Sequence, residues 1–287
     1  HETSFLWNPK SSLSKHAGTI NKNLKAIIMN FTPPDILINI QQFDSKRNVA
    51  ILKNQEQTID FCVEYFIYIA KKAIADHGNF FVALSGGSTP KVIFEELANP
   101  LHRDKLNWTK VHLFWSDERS VPPNDPQSNF KMAMDAGFSK LPIPLDQIHR
   151  MRAEKEIEDE ARKYEILILQ KVPNQSFDMV MLGIGEDGHT ASLFPDTAGL
   201  HLEDRLVIAN YVPKLNTWRM SLTFKCINQA KNIVVYAIGA SKANILQHIF
   251  HGNYKPDTFP AQKIGVEFLN KSLWIMDKAA ALHVYRM

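Results

Sequence analysis

The run Phe80-Phe81-Val82-Ala83-Leu84 constrains the fold of this chain most. Five consecutive apolar residues are too few for a helix. They are followed at once by the turn Ser85-Gly86-Gly87-Ser88-Thr89-Pro90. That combination reads as a strand covered on both faces. Such a strand needs helices above and below it, and the chain supplies them. Short β-type runs fall at residues 36–40, 49–52, 80–84, 111–115, 177–182, 206–212, 220–224, 233–238 and 273–276. Helical patterns fall at residues 55–76, 90–98, 154–171, 242–251 and 259–269, with another starting at the capping pair Ser128-Asn129. The alternation predicts an α/β fold with a mainly parallel, twisted sheet, right-handed crossovers and helices on both faces. No internal repeat or low-complexity linker interrupts it, so residues 31–287 are expected to form a single compact domain.

Residues 1–30 stand apart as an expected N-terminal extension. The chain begins at His1, and residues 8–25 are rich in Asn, Ser and Lys without the apolar run of a signal peptide. Met29 is where a native start would fit; the residues before it then read as a tag, an extension or a flexible tail. The most apolar stretch, residues 61–74, is broken by Glu64, Lys71 and Lys72 and reads as an amphipathic helix rather than a membrane span. A net charge of +3 over 287 residues, with no basic block, argues against a nucleic-acid partner. The two cysteines, Cys62 and Cys226, form no metal or disulfide pattern and read as buried thiols of a reducing compartment. Together these point to a cytoplasmic protein with neither membrane nor nucleic acid as a partner.

In parallel sheets, ligands bind beyond the carboxyl ends of the strands. Five polar loops are expected on that rim. In the first, Ser85 to Pro90, the glycines permit close backbone approach; Thr89 is expected as N-cap and Pro90 as first helical residue. The free amides of Gly86, Gly87, Ser88 and Thr89 and the helix dipole favour an anion there. The Gly-Lys-Ser/Thr element of a Walker loop is absent. A second loop, Asp117-Glu118-Arg119, combines acids suited to hydroxyl orientation or proton transfer with a guanidinium suited to an anion. Lys214 to Arg219 and Gly239-Ala240-Ser241-Lys242 bring further cations, of which Arg219 and Lys242 are the candidates for a phosphate clamp.

The fifth loop is Gly183-Ile184-Gly185-Glu186-Asp187-Gly188-His189. It matches G-x-G-x-x-G after a strand, yet a dinucleotide site needs an uninterrupted helix and an acid at the end of the next strand. Pro195 cuts the helix short, and the next strand ends Asn210-Tyr211-Val212 without an acid. The loop instead presents His189, an imidazole that titrates near neutral pH and suits a general base. Asp187 is placed to fix its tautomer. No H-E-x-x-H or Cys/His cluster calls for a metal, no G-x-S-x-G elbow marks a serine hydrolase, and no cofactor is expected.

Three ordered motifs then carry a resemblance. Leu84 to Pro90; Trp115-Ser116-Asp117-Glu118-Arg119-Ser120-Val121-Pro122 with Ser128-Asn129; and Gly183 to His189 continued by Thr190-Ala191-Ser192-Leu193-Phe194-Pro195 resemble the 6-phosphogluconolactonase family. Arg219, Gly239 with Lys242, and Pro260-Ala261 extend it, from about residue 35 to the C-terminus. The resemblance implies a Rossmann-like fold, shared with glucosamine-6-phosphate deaminase/isomerase. It also implies hydrolysis of 6-phospho-D-glucono-1,5-lactone to 6-phosphogluconate in the oxidative pentose phosphate pathway. The deaminases carry Asn-Glu-Pro after Asp-Gly-His, and that Glu is catalytic; here Phe194 occupies its place, which favours the lactonase.

On that reading His189 activates water, Asp187 orients it, and the Gly86 and Gly87 amides meet the oxyanion. Ser85, Ser88 and Thr89 hold the phosphate with Arg219 and Lys242, while Asp117 and Arg119 shape the sugar end. The phosphate and oxyanion ends could be exchanged. The partner is a phosphorylated sugar lactone, and the assembly a monomer or weak homodimer. Two competing functions are an amino-sugar-phosphate isomerase or deaminase and a non-enzymatic sugar-phosphate sensor. A sensor of this type usually has an N-terminal helix-turn-helix, for which the first 35 residues are too short and polar.

Overall fold

The computed structural model describes residues 35–285; the extension expected over residues 1–30 lies outside them. Contacts divide the chain between Leu37 and Ile38, and the architecture below is that of the second part.

Seven strands form the central sheet: β1 (Ile40–Gln42), β2 (Arg47–Leu52), β3 (Phe80–Leu84), β4 (Val111–Trp115), β6 (Met179–Gly183), β9 (Ile233–Ala237) and β10 (Ser272–Asp277). Their order is β1-β2-β10-β9-β6-β3-β4. Only the edge strand β1 is antiparallel to its neighbour. Strands β3 and β9 are buried at every residue, as their unbroken apolar runs require. The principal helices are α1 (Gln55–His77), α2 (Ser88–Ala98), α3 (Asn129–Asp135), α4 (Ile157–Lys171) and α5 (Ala243–His251). The Asn54 side chain caps α1 by accepting from the Gln57 amide at 3.0 Å, and Gly78, left-handed at φ 92°, ends it. Trp115, Trp274, Phe66, Phe80 and Phe94 are fully buried in the core, at roughly 1.5–3 kcal/mol of burial each. Cys62 and Cys226 are both buried and unpaired.

Strand β4 does not stop at the rim. Ser116 donates its amide to Leu84 O at 2.8 Å, and its carbonyl accepts from Leu222 at 2.8 Å. The chain thereby passes into a second, antiparallel sheet: β5 (Asp117–Arg119), β8 (Thr217–Leu222) and β7 (Val207–Val212), in the order β5-β8-β7. The expected loop Asp117-Glu118-Arg119 is thus a short strand, because β8 offers it a ladder. The strand expected at residues 220–224 sits at Thr217–Leu222 instead; Thr223 turns out as N-cap of the helical turn Phe224–Asn228.

Three further expectations are corrected. Asp35–Asn39 is a 3-10 helix rather than a strand, because pairing with β2 begins only at Ile40. Gly87 (φ 104°), not Thr89, precedes α2, which starts at Ser88 and puts Pro90 at its third position. A proline is tolerated there because amides of the first turn have no helical acceptor. The helix expected at residues 259–269 shrinks to the 3-10 turn Pro260–Lys263. Gly265 at φ 85° and Phe268 at φ 60° leave helical space, and a Cβ at Gly265 would stand 2.9 Å from Lys46 O.

Candidate active site

After β3 the chain leaves outward to β4 and later returns to β6 on the other side of β3. That reversal opens a crevice at the carboxyl ends of the strands. A cavity of about 250 Å³ occupies it, lined by Ser85, Gly86, Gly87, Asp117, Arg119, Asn129, Gly183, Ile184, Gly185, His189, Ala191 and Lys242. Four of the five loops singled out in the sequence therefore converge in one place; the fifth, Lys214 to Arg219, adds no lining residue, because from Thr217 on it is the strand β8. Four of the predicted residues stand outside the lining: Ser88, Thr89, Asp187 and Arg219. Ser88 and Thr89 begin α2 immediately beyond Gly87.

The His189 loop is held closed by its own backbone. Gly185 N donates to His189 O at 2.9 Å, Gly188 N donates to Gly185 O at 2.9 Å, and the Thr190 hydroxyl donates to Gly183 O at 2.9 Å. The imidazole lies against Gly185: a Cβ there would come within 2.0 Å of Nδ1 and 2.2 Å of Cε1. Its other neighbour is Phe194, whose ring stacks on it at 4.1 Å and 17°. Nδ1 and Asp187 Oδ1 are 2.5 Å apart. Asp187 Oδ2 accepts from Lys214 Nζ at 3.0 Å. The His189 hydrogen bond, helped by Lys214 and opposed by burial, holds the Asp187 carboxyl well below the usual carboxylate range. With Nδ1 facing an anion, Nε2 is left as the proton-accepting nitrogen.

The acids of β5 divide their work. Asp117 is buried; its Oδ2 accepts from Ser192 Oγ at 2.6 Å, and Asn129 Nδ2 donates to its carbonyl at 3.0 Å. Glu118 faces away from the cavity and accepts from the Asn129 amide at 2.8 Å, the Phe130 amide at 2.9 Å and Ser128 Oγ at 3.0 Å. It is a cap for α3, not a proton donor to a ligand. Asn129 must approach Gly86 closely: a Cβ on that glycine would stand 2.1 Å from Asn129 Oδ1.

The cations also gather. Arg119 and Arg219 are register partners on β5 and β8. Burial, and then the Arg119 charge, lower the pKa of Arg219. Two guanidinium groups side by side repel until an anion joins them. Lys242 Nζ donates to Ile184 O at 2.8 Å, bracing the loop that carries His189. Among the described residues, the Gly86 and Gly87 amides donate to no backbone carbonyl. Three contributors are named in the sequence reading without these roles: Lys214 in a rim loop, Ser192 in the third motif, and Asn129 as a cap and in the second motif. Each acts across 12 or more residues, and local spacing carries no trace of that.

The crevice, the histidine loop and the paired arginines form a polar cleft rich in cations at the switch point of a doubly wound sheet. The model of the glucosamine-6-phosphate isomerases/6-phosphogluconolactonase family matches residues 53–274, and the chain belongs to that family. A 6-phosphogluconolactonase of Chlamydia pneumoniae is 42% identical over 225 residues, spanning 78% of this chain and 85% of that one. One of Haemophilus influenzae is 41% identical over 199 residues, spanning 69% and 85%. The crystal structure of 6-phosphogluconolactonase from Thermotoga maritima superposes with a TM-score of 0.69 at 31% identity, covering 80% of this chain and 99% of its own.

Proposed function

We propose that the chain hydrolyses 6-phospho-D-glucono-1,5-lactone to 6-phosphogluconate, the lactone-opening step of the oxidative pentose phosphate pathway. The observation that carries the reading is the stack of Phe194 on His189. Where the deaminases of the family place a glutamate, this chain puts an aromatic ring against the imidazole. An aldose–ketose isomerisation has no carboxylate to use there; hydrolysis of a lactone needs none.

In the proposed reaction, His189 Nε2 takes a proton from water as its oxygen attacks the lactone carbonyl, and Asp187 stabilises the resulting imidazolium. The Gly86 and Gly87 amides meet the oxyanion, the arrangement that contributes most when preorganised. The tetrahedral intermediate collapses by breaking the ring C–O bond, and the ring oxygen leaves with the proton held by His189. The product acid then ionises, so each turnover consumes one water and releases one proton. The phosphate lies at the start of α2, near Ser85, Ser88 and Thr89, with Arg219 and Lys242 as counter-charges. Asp117, fixed by Ser192, and Arg119 line the sugar's path. The enzyme works in the cytoplasm as a monomer or weak homodimer. No helix of the described residues is long and apolar enough to cross a membrane.

The test is turnover of freshly generated lactone, corrected for spontaneous hydrolysis, beside ammonia release from glucosamine 6-phosphate. Acid production without ammonia supports the proposal. Ammonia release, or no turnover of the lactone, overturns it.

A further inference from the structure

The His189–Asp187 pair has a third member that the reaction as written does not use. Lys214 sits on the turn Pro213–Leu215 between β7 and β8, remote in sequence from the histidine loop. Its Nζ is 3.0 Å from Asp187 Oδ2, while the other oxygen, Oδ1, takes both His189 Nδ1 at 2.5 Å and the His189 amide at 3.2 Å. The two carboxylate oxygens are thus divided between a fixed imidazole and a side chain 68% exposed to solvent. Beyond Lys214 and Asp187 opens a second cavity of about 480 Å³, walled by Phe194, Pro195, Val212, Pro213 and Phe259. The triad lies between that cavity and the crevice where the substrate is placed.

We propose that Lys214 is a positioning residue: it pins the rotation of the Asp187 carboxylate and, through it, the ring of His189. The proposal rests on His189 being the general base. Oδ2 without Lys214 loses the donor that fixes the carboxylate plane, and Asp187 is freer to turn away from Nδ1. The ring is then held chiefly by its packing between Gly185 and Phe194, and Nε2 is aimed at the crevice for less of the time.

The experiment compares the wild-type chain with Lys214→Met and Lys214→Arg in two measurements. The first is the NMR signal of the His189 Nδ1 proton in the substrate-free protein, which exchanges slowly while Asp187 holds it. The second is kcat and KM with freshly generated lactone. Lys214→Met is expected to speed the exchange of the His189 Nδ1 proton until its signal is lost. It should lower kcat about 3–10-fold with KM within twofold, and Lys214→Arg should restore both. An Nδ1 proton signal as persistent in Lys214→Met as in the wild type overturns the inference. So does a rise in KM at unchanged kcat, which would make Lys214 a substrate ligand. Absence of lactone turnover in the wild type fails the functional reading instead, and the Nδ1 proton signal still reports on Lys214.

Discussion

Gly185 lacks a side chain because an imidazole fills the space where one would be. Its ideal Cβ would lie 2.0–2.8 Å from His189 Nδ1, His189 Cε1 and Asp187 Oδ1. Gly185→Ala is therefore expected to displace the ring while sparing the fold. A shift of about 1 Å at a reacting group costs on the order of 10²-fold in turnover. Lactone turnover and thermal unfolding measured on the same preparation check this; normal turnover would show that the ring's packing against Gly185 is dispensable. The glycines of this loop were visible in the sequence as glycines, but their purposes were not. The G-x-G-x-x-G pattern invites a pyrophosphate; in the structure Gly185 accommodates a ring, and Gly188 accommodates the backbone of Phe259, 3.1 Å from its ideal Cβ. Asp117 was legible as a polar acid following a buried strand, whereas its burial and its partner Ser192, 75 residues away, come only from the structure.

At the scale of elements, β5 couples the cavity to α3 through Glu118. Its carboxylate takes the Asn129 and Phe130 amides and Ser128 Oγ, so it satisfies donors that a helix start leaves open. Glu118→Ala should cost about 2–4 kcal/mol in stability through unmet buried donors. It should also raise KM, since Asn129 lines the cavity and holds the Asp117 carbonyl. Denaturant unfolding and steady-state kinetics separate the two effects; loss of turnover at full stability would point to a direct chemical role for Glu118. Sequence pattern located α1, β3, β4 and α5 closely, because each pairs a strong apolar period with a clear stop such as Gly78. It failed for residues 259–269, where the apolar pattern is helical but Gly265 and Phe268 adopt positive φ. It also gave no hint that β5, β7 and β8 leave the main sheet. Strand-like runs look alike whether their ladder is parallel or antiparallel, and only the tertiary pairing of Asp117–Arg119 with β8 decides it.

For the whole molecule, acid stability turns on a histidine buried beside the middle of the edge strand β4. His149 is buried, stacks on Phe114 at 4.4 Å, and leaves its Nε2 without a partner. Burial first, then the neighbouring His112 and Lys171, push its pKa down to about 4 from 6.5. Burial lowers His112 too. Above pH 6.5 both states carry a neutral ring and nothing is lost. As pH falls below 6.5 the unfolded chain takes up a proton that the fold refuses, and stability declines until about pH 4. The full decline attributable to His149 is about 3 kcal/mol. Urea midpoints measured from pH 7.5 to 4.5 should fall more steeply for the wild type than for His149→Phe; equal slopes would show that the ring is not the titrating group.

The central claim is that one imidazole, held at a glycine loop on the rim of a parallel sheet, activates the water that opens a phosphorylated lactone. The most direct measurement is pH-stat proton release from freshly generated 6-phosphogluconolactone by the wild type and by His189→Ala, above the spontaneous rate. The account predicts turnover lower by about 10²–10⁴-fold in the variant, with unchanged thermal unfolding. Near-wild-type proton release by His189→Ala would contradict it.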